Sequence, residues 1–153
     1  MPKEFSGHLI PVGFHFKVSF LQEVNNDIDT RFQSVSGLNV TVETEDFAEG
    51  GENRFVHSLP VRTKYDNLIL KRGMILDHDL IKWVKDAVEN FDFRPINMQV
   101  VLLNDENEPL NVWDIVNAYP VKWSVSDFNA EESKLVVETL ELKYQYYKTS
   151  KPN

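Results

Sequence analysis

A mainly β (α+β) fold with one flanking helix is predicted by three features of the chain. Apolar and polar residues alternate in short stretches along most of its length, one stretch alone has helical spacing, and turn-forming residues separate them. Together they imply six to seven antiparallel strands in a β-sandwich or barrel with the helix packed beside it. At 153 residues, 42% hydrophobic and 26% charged, the chain suits a single domain, 1–153, with a real core.

The elements follow in order. Residues 1–12, with two prolines, read as an irregular lead-in. "GFHFKVSF" places Phe14, Phe16, Val18 and Phe20 on one face and His15, Lys17 and Ser19 on the other, a half-buried strand. "LQEVNNDIDTR" is a polar connection with turn chemistry. A second strand carries Leu38, Val40 and Val42 in one phase. Phe32 and Val35 break that phase upstream, so a bulge or bend is expected at Gly37. Residues 46–66 read as a long extended loop, and loops of that length tend to be functional. "NLILKRG" is a short strand ended by Gly73.

Residues 77–91 form the helix. Leu80, Ile81, Trp83, Val84, Ala87, Val88 and Phe91 make its apolar stripe, Asp77 and Asp79 suit its N-terminus, and Pro95 lies past its end. "INMQVVLLN" is apolar on both faces and reads as central, and "NDENEP" as a turn. "LNVWDIVNAYPVKWSVSDF" reads as two strands around Pro120, because a proline interrupts a central ladder. The last strand places Val136, Leu140, Leu142, Tyr144 and Tyr146 opposite Val137, Thr139, Glu141, Lys143 and Gln145.

Several kinds of chemistry are disfavoured. With no cysteine, disulfides, thiolate metal sites and cysteine nucleophiles are excluded. His8, His15, His57 and His78 lack the spacing of a helical metal pair. Gly50-Gly51 leads to Glu52 instead of the Lys-Ser or Lys-Thr of a phosphate loop. No Gly-x-Ser-x-Gly elbow occurs, and the adjacent Glu131-Glu132 cannot flank one substrate bond. The expectation is a chain that is not an enzyme and takes no cofactor. A formal charge of −8 argues against general nucleic-acid binding. The opening lacks the apolar core of a secretion signal, and no apolar run approaches the roughly 20 residues of a membrane helix. Synthesis in the cytoplasm is therefore expected.

Charge is unevenly distributed. Arg54, Arg62, Lys64, Lys71 and Arg72 form a basic cluster just after acidic Glu43, Glu45, Asp46, Glu49 and Glu52. Either this is a solvated strand edge, or the acidic stretch of one copy faces the basic stretch of another and sets register. The polar faces of the second strand (Asn39, Thr41) and the last strand (Thr139, Glu141, Lys143) suit either a solvated outer face or the wet lumen of a wide oligomeric barrel.

The chain resembles the tail-tube protein family of contractile phage tails and phage-tail-like contractile injection systems. The resemblance spans nearly the whole chain. It is carried in order by Val35-Ser36-Gly37-Leu38, Glu49-Gly50-Gly51-Glu52-Asn53, Leu59-Pro60, Tyr65 with Asn67-Leu68, and Leu70-Lys71-Arg72-Gly73. Trp83, Asn117-Ala118-Tyr119-Pro120-Val121-Lys122-Trp123 and Glu138-Thr139-Leu140-Glu141-Leu142 complete it. The resemblance implies a structural subunit of hexameric rings that stack into an inner tube, each copy lending strands to a continuous 24-stranded lumen barrel. It implies self, adjacent rings, a spike or hub or baseplate, and a surrounding sheath as partners, within a phage tail or injection particle. The loop 46–66, with Glu49, Gly50, Gly51, Glu52, Asn53 and Arg54, would reach into neighbouring subunits. The opening "PVGFHFKVSF" and the aromatic tail "YQYYKTSKPN" resemble the first, baseplate-proximal layer. The alternatives are a repeating major tube subunit and, from another class, an effector-binding adaptor.

Overall fold

The structure, a computed structural model, describes residues 3–5, 8–10, 15–20, 31–48, 50–51, 54–73, 79–127, 129–131 and 136–151. The strands in chain order are β1 (Lys3–Phe5), β2 (His8–Ile10), β3 (His15–Phe20), β4 (Arg31–Phe32), β5 (Ser34–Ser36), β6 (Val40–Phe47), β7 (His57–Tyr65) and β8 (Leu68–Gly73). Helix α1 (Asp79–Asn90) follows, then β9 (Ile96–Leu103), β10 (Pro109–Val125), β11 (Val137–Lys143) and β12 (Tyr146–Ser150).

Seven strands run in the order β4-β3-β9-β10-β11-β8-β5, with β12 added on β10. Only Gln33 separates β4 from β5, and its N–H donates to the Lys71 carbonyl at 2.8 Å. The two ends of the path are therefore neighbours in the chain, and the sheet closes on itself. Closure leaves the strand face toward the axis dry. Val18, Phe20, Phe32, Leu68, Leu70, Met98, Val100, Ile115, Leu140 and Leu142 fill it, with Leu80, Trp83 and Val84 of α1 in the same core. Phe20 meets the Trp83 ring at 6.1 Å, and the Trp83 indole N–H donates to the Arg94 carbonyl at 2.8 Å, tying α1 to the start of β9. β9 is central, between β3 and β10, as its two apolar faces predict.

The long strand β10 belongs to both halves of the barrel. Its first half pairs with β9 on one edge and β12 on the other, and its second half pairs with β11. The changeover falls at Asn117, which adopts φ +54, tolerable for asparagine. Its N–H donates to Asn97 Oδ1 at 3.1 Å and its side-chain amide to Gln145 Oε1 at 2.9 Å.

Five expectations are corrected. Residues 1–12 are not an irregular lead-in, since β1 and β2 pair antiparallel there, Lys3 with Ile10 and Phe5 with His8. Pro120 does not divide two strands; β10 runs through it. It is tolerated because a bulge follows between Pro120 and Lys122, and no strand among the described residues pairs the other edge of 119–125, so no ladder bond is lost. Residues 57–65 are a strand and not loop, so the span 46–66 is half of a hairpin with β6. The helical stripe is shorter than expected, since Val88 and Phe91 lie exposed and Phe91 leaves the helix at φ +54. Tyr146 is exposed because the chain passes from β11 to β12 at Tyr144–Gln145. The expected bend at Gly37 is present. Its φ is +89, and a Cβ there would meet the Asn67 carbonyl oxygen at 1.9 Å, so only glycine fits.

Candidate assembly surfaces

The most exposed element is the β6–β7 arm, a two-stranded hairpin outside the barrel. Its register pairs Val40 with Tyr65, Val42 with Thr63, Glu43 with Arg62, Glu45 with Leu59 and Phe47 with His57, with a bulge between Glu43 and Thr44. Cross-strand partners share a face, so one face carries Glu43, Arg62, Leu59 and Phe47 together. Arg62 Nε meets Glu43 Oε2 at 2.5 Å, and Ser58 Oγ donates to Asp46 Oδ1 at 2.6 Å on the opposite face. Val40, Val42, Phe47, Phe55, Val56, Leu59 and Val61 are each 49–58% exposed. A lone hairpin is marginal in water, and this one leaves its apolar side chains wet.

The root of the arm is well tied. Asp66 N–H donates to the Asn39 carbonyl at 3.2 Å, and the Asn39 amide to Asp66 Oδ2 at 3.3 Å. Tyr65 packs against Tyr144 at 5.9 Å and Tyr147 at 5.0 Å, and the Tyr147 hydroxyl donates to the Leu38 carbonyl at 3.2 Å. Among the described residues the buried Tyr144 hydroxyl has no partner. Burial, then the neighbouring Tyr147, Asp66 and Tyr65, push its ionisation far above the ordinary tyrosine value. Burial, then Tyr65, also raises that of Tyr147.

The second surface is the outer face of β5, β8, β11 and the second half of β10. Register places Ser34, Lys71, Thr139 and Ser124 in one row and Ser36, Ile69, Glu141 and Lys122 in the next, with Lys143 opposite Tyr119 beyond them. The Asn67 amide donates to Glu141 Oε1 at 2.9 Å. Beside this face Phe91, Phe93 and Tyr119 stack edge to face, at 4.9 and 5.9 Å. Sequence reasoning missed that ladder; its signal was Phe91 and Phe93 outlasting the helix.

The residues singled out in the sequence separate into these two surfaces. Gly50 and Gly51 form the turn of the arm, with open space around both and φ +99 at Gly51. Arg54 is exposed nearby, while Glu49, Glu52 and Asn53 lie outside the described residues. Glu43, Glu45, Arg62 and Lys64 lie along the arm, with Glu43 and Arg62 paired within one chain. Lys71 is exposed on β8. Arg72 is not a surface charge. It is 2% exposed, paired with Glu138 at 3.3 Å and stacked 4.9 Å over the Phe32 ring, because it shares the inward phase of Leu68 and Leu70. Thr139, Glu141 and Lys143 share the outer face of β11, whereas Asn39 and Thr41 sit at the root and on the arm.

Among the described residues no group of three or more His, Asp or Glu could hold a metal ion. No helix among them is long and apolar enough to cross a membrane. His8 and His78 lie outside the described side chains, and His15 Nε2 lies 2.6 Å from Asn107 Oδ1.

Residues 12–148 match the family described as T4-like virus tail tube protein gp19. No curated protein matches the chain. A chain of the anti-feeding prophage (AFP) baseplate, from a 6-fold symmetrised cryo-EM structure, is 28% identical with TM-score 0.80, covering 96% of this chain and 98% of its own. A chain of the sheath-tube complex of the extracellular contractile injection system PVC, in its extended state, is 22% identical with TM-score 0.74, covering 90% and 89%. One from the AFP tube-terminating cap is 18% identical with TM-score 0.79, covering 98% and 97%.

Proposed function

This chain belongs to the T4-like virus tail tube protein gp19 family, and we propose that it is a structural subunit that closes into six-membered rings around a channel. It is a tube protein of the contractile-injection-system type, and its neighbours in structure are tube, baseplate and cap components. The observation that carries the ring reading is the half-barrel of β5, β8, β11 and the end of β10. Its edge at 119–125 lacks a strand partner among the described residues. An edge of this kind either pairs with another chain or is an aggregation hazard. Four strands from each of six copies would supply the lumen barrel that the family resemblance implies. In that arrangement the outer face with Thr139, Glu141 and Lys143 lines the channel.

The arm is the lateral or axial grip. It keeps its apolar residues exposed in the single copy, and a neighbouring copy would cover them. The Gly50-Gly51 turn lets its tip pass close to another backbone. Lys64 and Glu45 are the arm charges left to set register, since Arg62 and Glu43 pair with each other, Arg72 is buried and Lys71 stands on the outer face of β8.

The layer we favour is the one next to the baseplate. The AFP baseplate chain is 28% identical, against 22% for the PVC sheath-tube chain and 18% for the AFP cap chain. Rings above, a spike or hub below and a sheath outside are the partners this reading implies. Native mass spectrometry and cryo-EM of the particle test it. Six-membered rings at the baseplate are expected. Rings along the whole tube would make this the repeating subunit, and a chain that stays monomeric even with its baseplate partners would overturn the ring itself.

A further inference from the structure

We propose that the outer face of the four-stranded half-barrel is a cationic surface that takes an acidic polypeptide segment. The inference rests on the reading that this face lines the channel, and it names what the channel is suited to pass.

The chain carries a formal charge of −8, yet this face has the opposite sign. Lys71, Lys122 and Lys143 stand on it, all exposed, and none has an ion pair among the described residues. Glu141 is the one carboxylate among its register positions, and one of its oxygens is engaged by the Asn67 amide at 2.9 Å. The positions between are polar and uncharged, Ser34, Ser36, Thr139 and Ser124, and can hydrogen-bond a passing chain.

Geometry narrows the partner. Strand and residue spacing put the three lysine positions about 8–14 Å apart, too far to close around one small ion and suited to carboxylates spread along an extended chain. A single-stranded nucleic acid needs exposed aromatic platforms among the cations. Tyr119 is the one aromatic among the register positions of this face and has its ring against Phe93 at 5.9 Å, while the exposed Phe91 and Phe93 lie beside the face and not on its strands. Three lysines against one glutamate make a weak local site. Repetition around a ring gives avidity without a tight stop, as passage requires.

The test titrates fluorescein-labelled deca-glutamate, and separately an oligothymidylate of equal charge, into the full chain at low salt and follows anisotropy. The variant Lys71→Glu/Lys122→Glu/Lys143→Glu should bind the peptide about tenfold more weakly or worse, the scale expected when several charge contacts reverse. Lys82→Glu/Lys85→Glu/Lys148→Glu makes the same charge change elsewhere and should stay within about twofold of the parent. Equal losses in both variants would reduce the effect to net charge and overturn the assignment. So would tighter binding of the oligothymidylate, or no binding of the peptide by the parent chain. Circular dichroism checks folding, and Lys→Gln at the same three positions replaces the reversal if that variant unfolds. A cryo-EM map of the particle judges separately whether this face lines the channel, so either idea can fall without the other.

Discussion

Arg72 and Glu138 pair inside the barrel, Nε to Oε2 at 3.3 Å, with side chains 3% and 5% exposed. The other Glu138 oxygen accepts the Trp123 indole N–H at 2.8 Å, and Phe32 lies under the guanidinium. The network joins β4, β8, β10 and β11, the strands on both sides of the seam where the barrel closes. A buried pair adds little over an apolar replacement, but losing one partner strands a charge. Arg72→Met should therefore destabilise the fold by about 3–5 kcal/mol in chemical denaturation. A loss under about 1 kcal/mol would mean that water already reaches the pair.

Gly37 and the arm glycines should behave oppositely. Gly37→Ala forces a Cβ into the Asn67 carbonyl at positive φ and should cost several kcal/mol, about 3 or more, or prevent folding. Gly50→Val with Gly51→Val meets open space, and the strain at Gly51 falls on an exposed turn. Its melting temperature should stay close to the parent's while ring assembly is lost, and melting together with sedimentation reads both. Assembly at parental levels would remove the turn from the interface.

Tyr144→Phe should be neutral or stabilising by about 1 kcal/mol at neutral pH, because it removes a buried hydroxyl without a protein partner among the described residues. Burial raises the folded-state pKa above the 10.0 of an ordinary tyrosine, so the folded state favours the neutral phenol. That contribution is complete below the unfolded value and is lost as pH climbs above about 10 toward the folded value. The parent should lose stability in that alkaline window and the phenylalanine variant less, in urea titrations across pH. Identical alkaline profiles would place the hydroxyl in water.

Phe47→Ser, Leu59→Ser and Val61→Ser combined should leave the barrel unchanged, since all three are already more than half exposed. If a neighbouring copy covers them, about 1.5–3 kcal/mol per large side chain disappears from each contact, enough to abolish rings on native mass spectrometry. Intact rings would assign the arm's apolar face to something other than self-assembly.

The legible elements were those with one dry face. β3, β11 and the first turns of α1 bury one side each, and burial imposes the period from which they were read, while β9 was read from an apolar run that suits a strand flanked on both edges. β7 was missed because nearly all of it is exposed, so nothing enforces alternation. The buried ion pair was legible but unread: Arg72 continues the phase of Leu68 and Leu70, and Glu138 that of Leu140 and Leu142. Their charges suit a surface, whereas the period of both strands points them inward. Pro120 interrupts nothing because a proline breaks a central ladder, and over 119–125 β10 is an edge among the described residues.

The continuity of β10 also has a mechanical meaning. From Val112 to Val125 it is bonded along one flank to β12 and then β11, and these two are successive segments of one chain. Hydrogen bonds of an antiparallel pair lie across the strand direction. Tension along β10 would therefore strain the whole row in shear at once, instead of peeling it apart bond by bond.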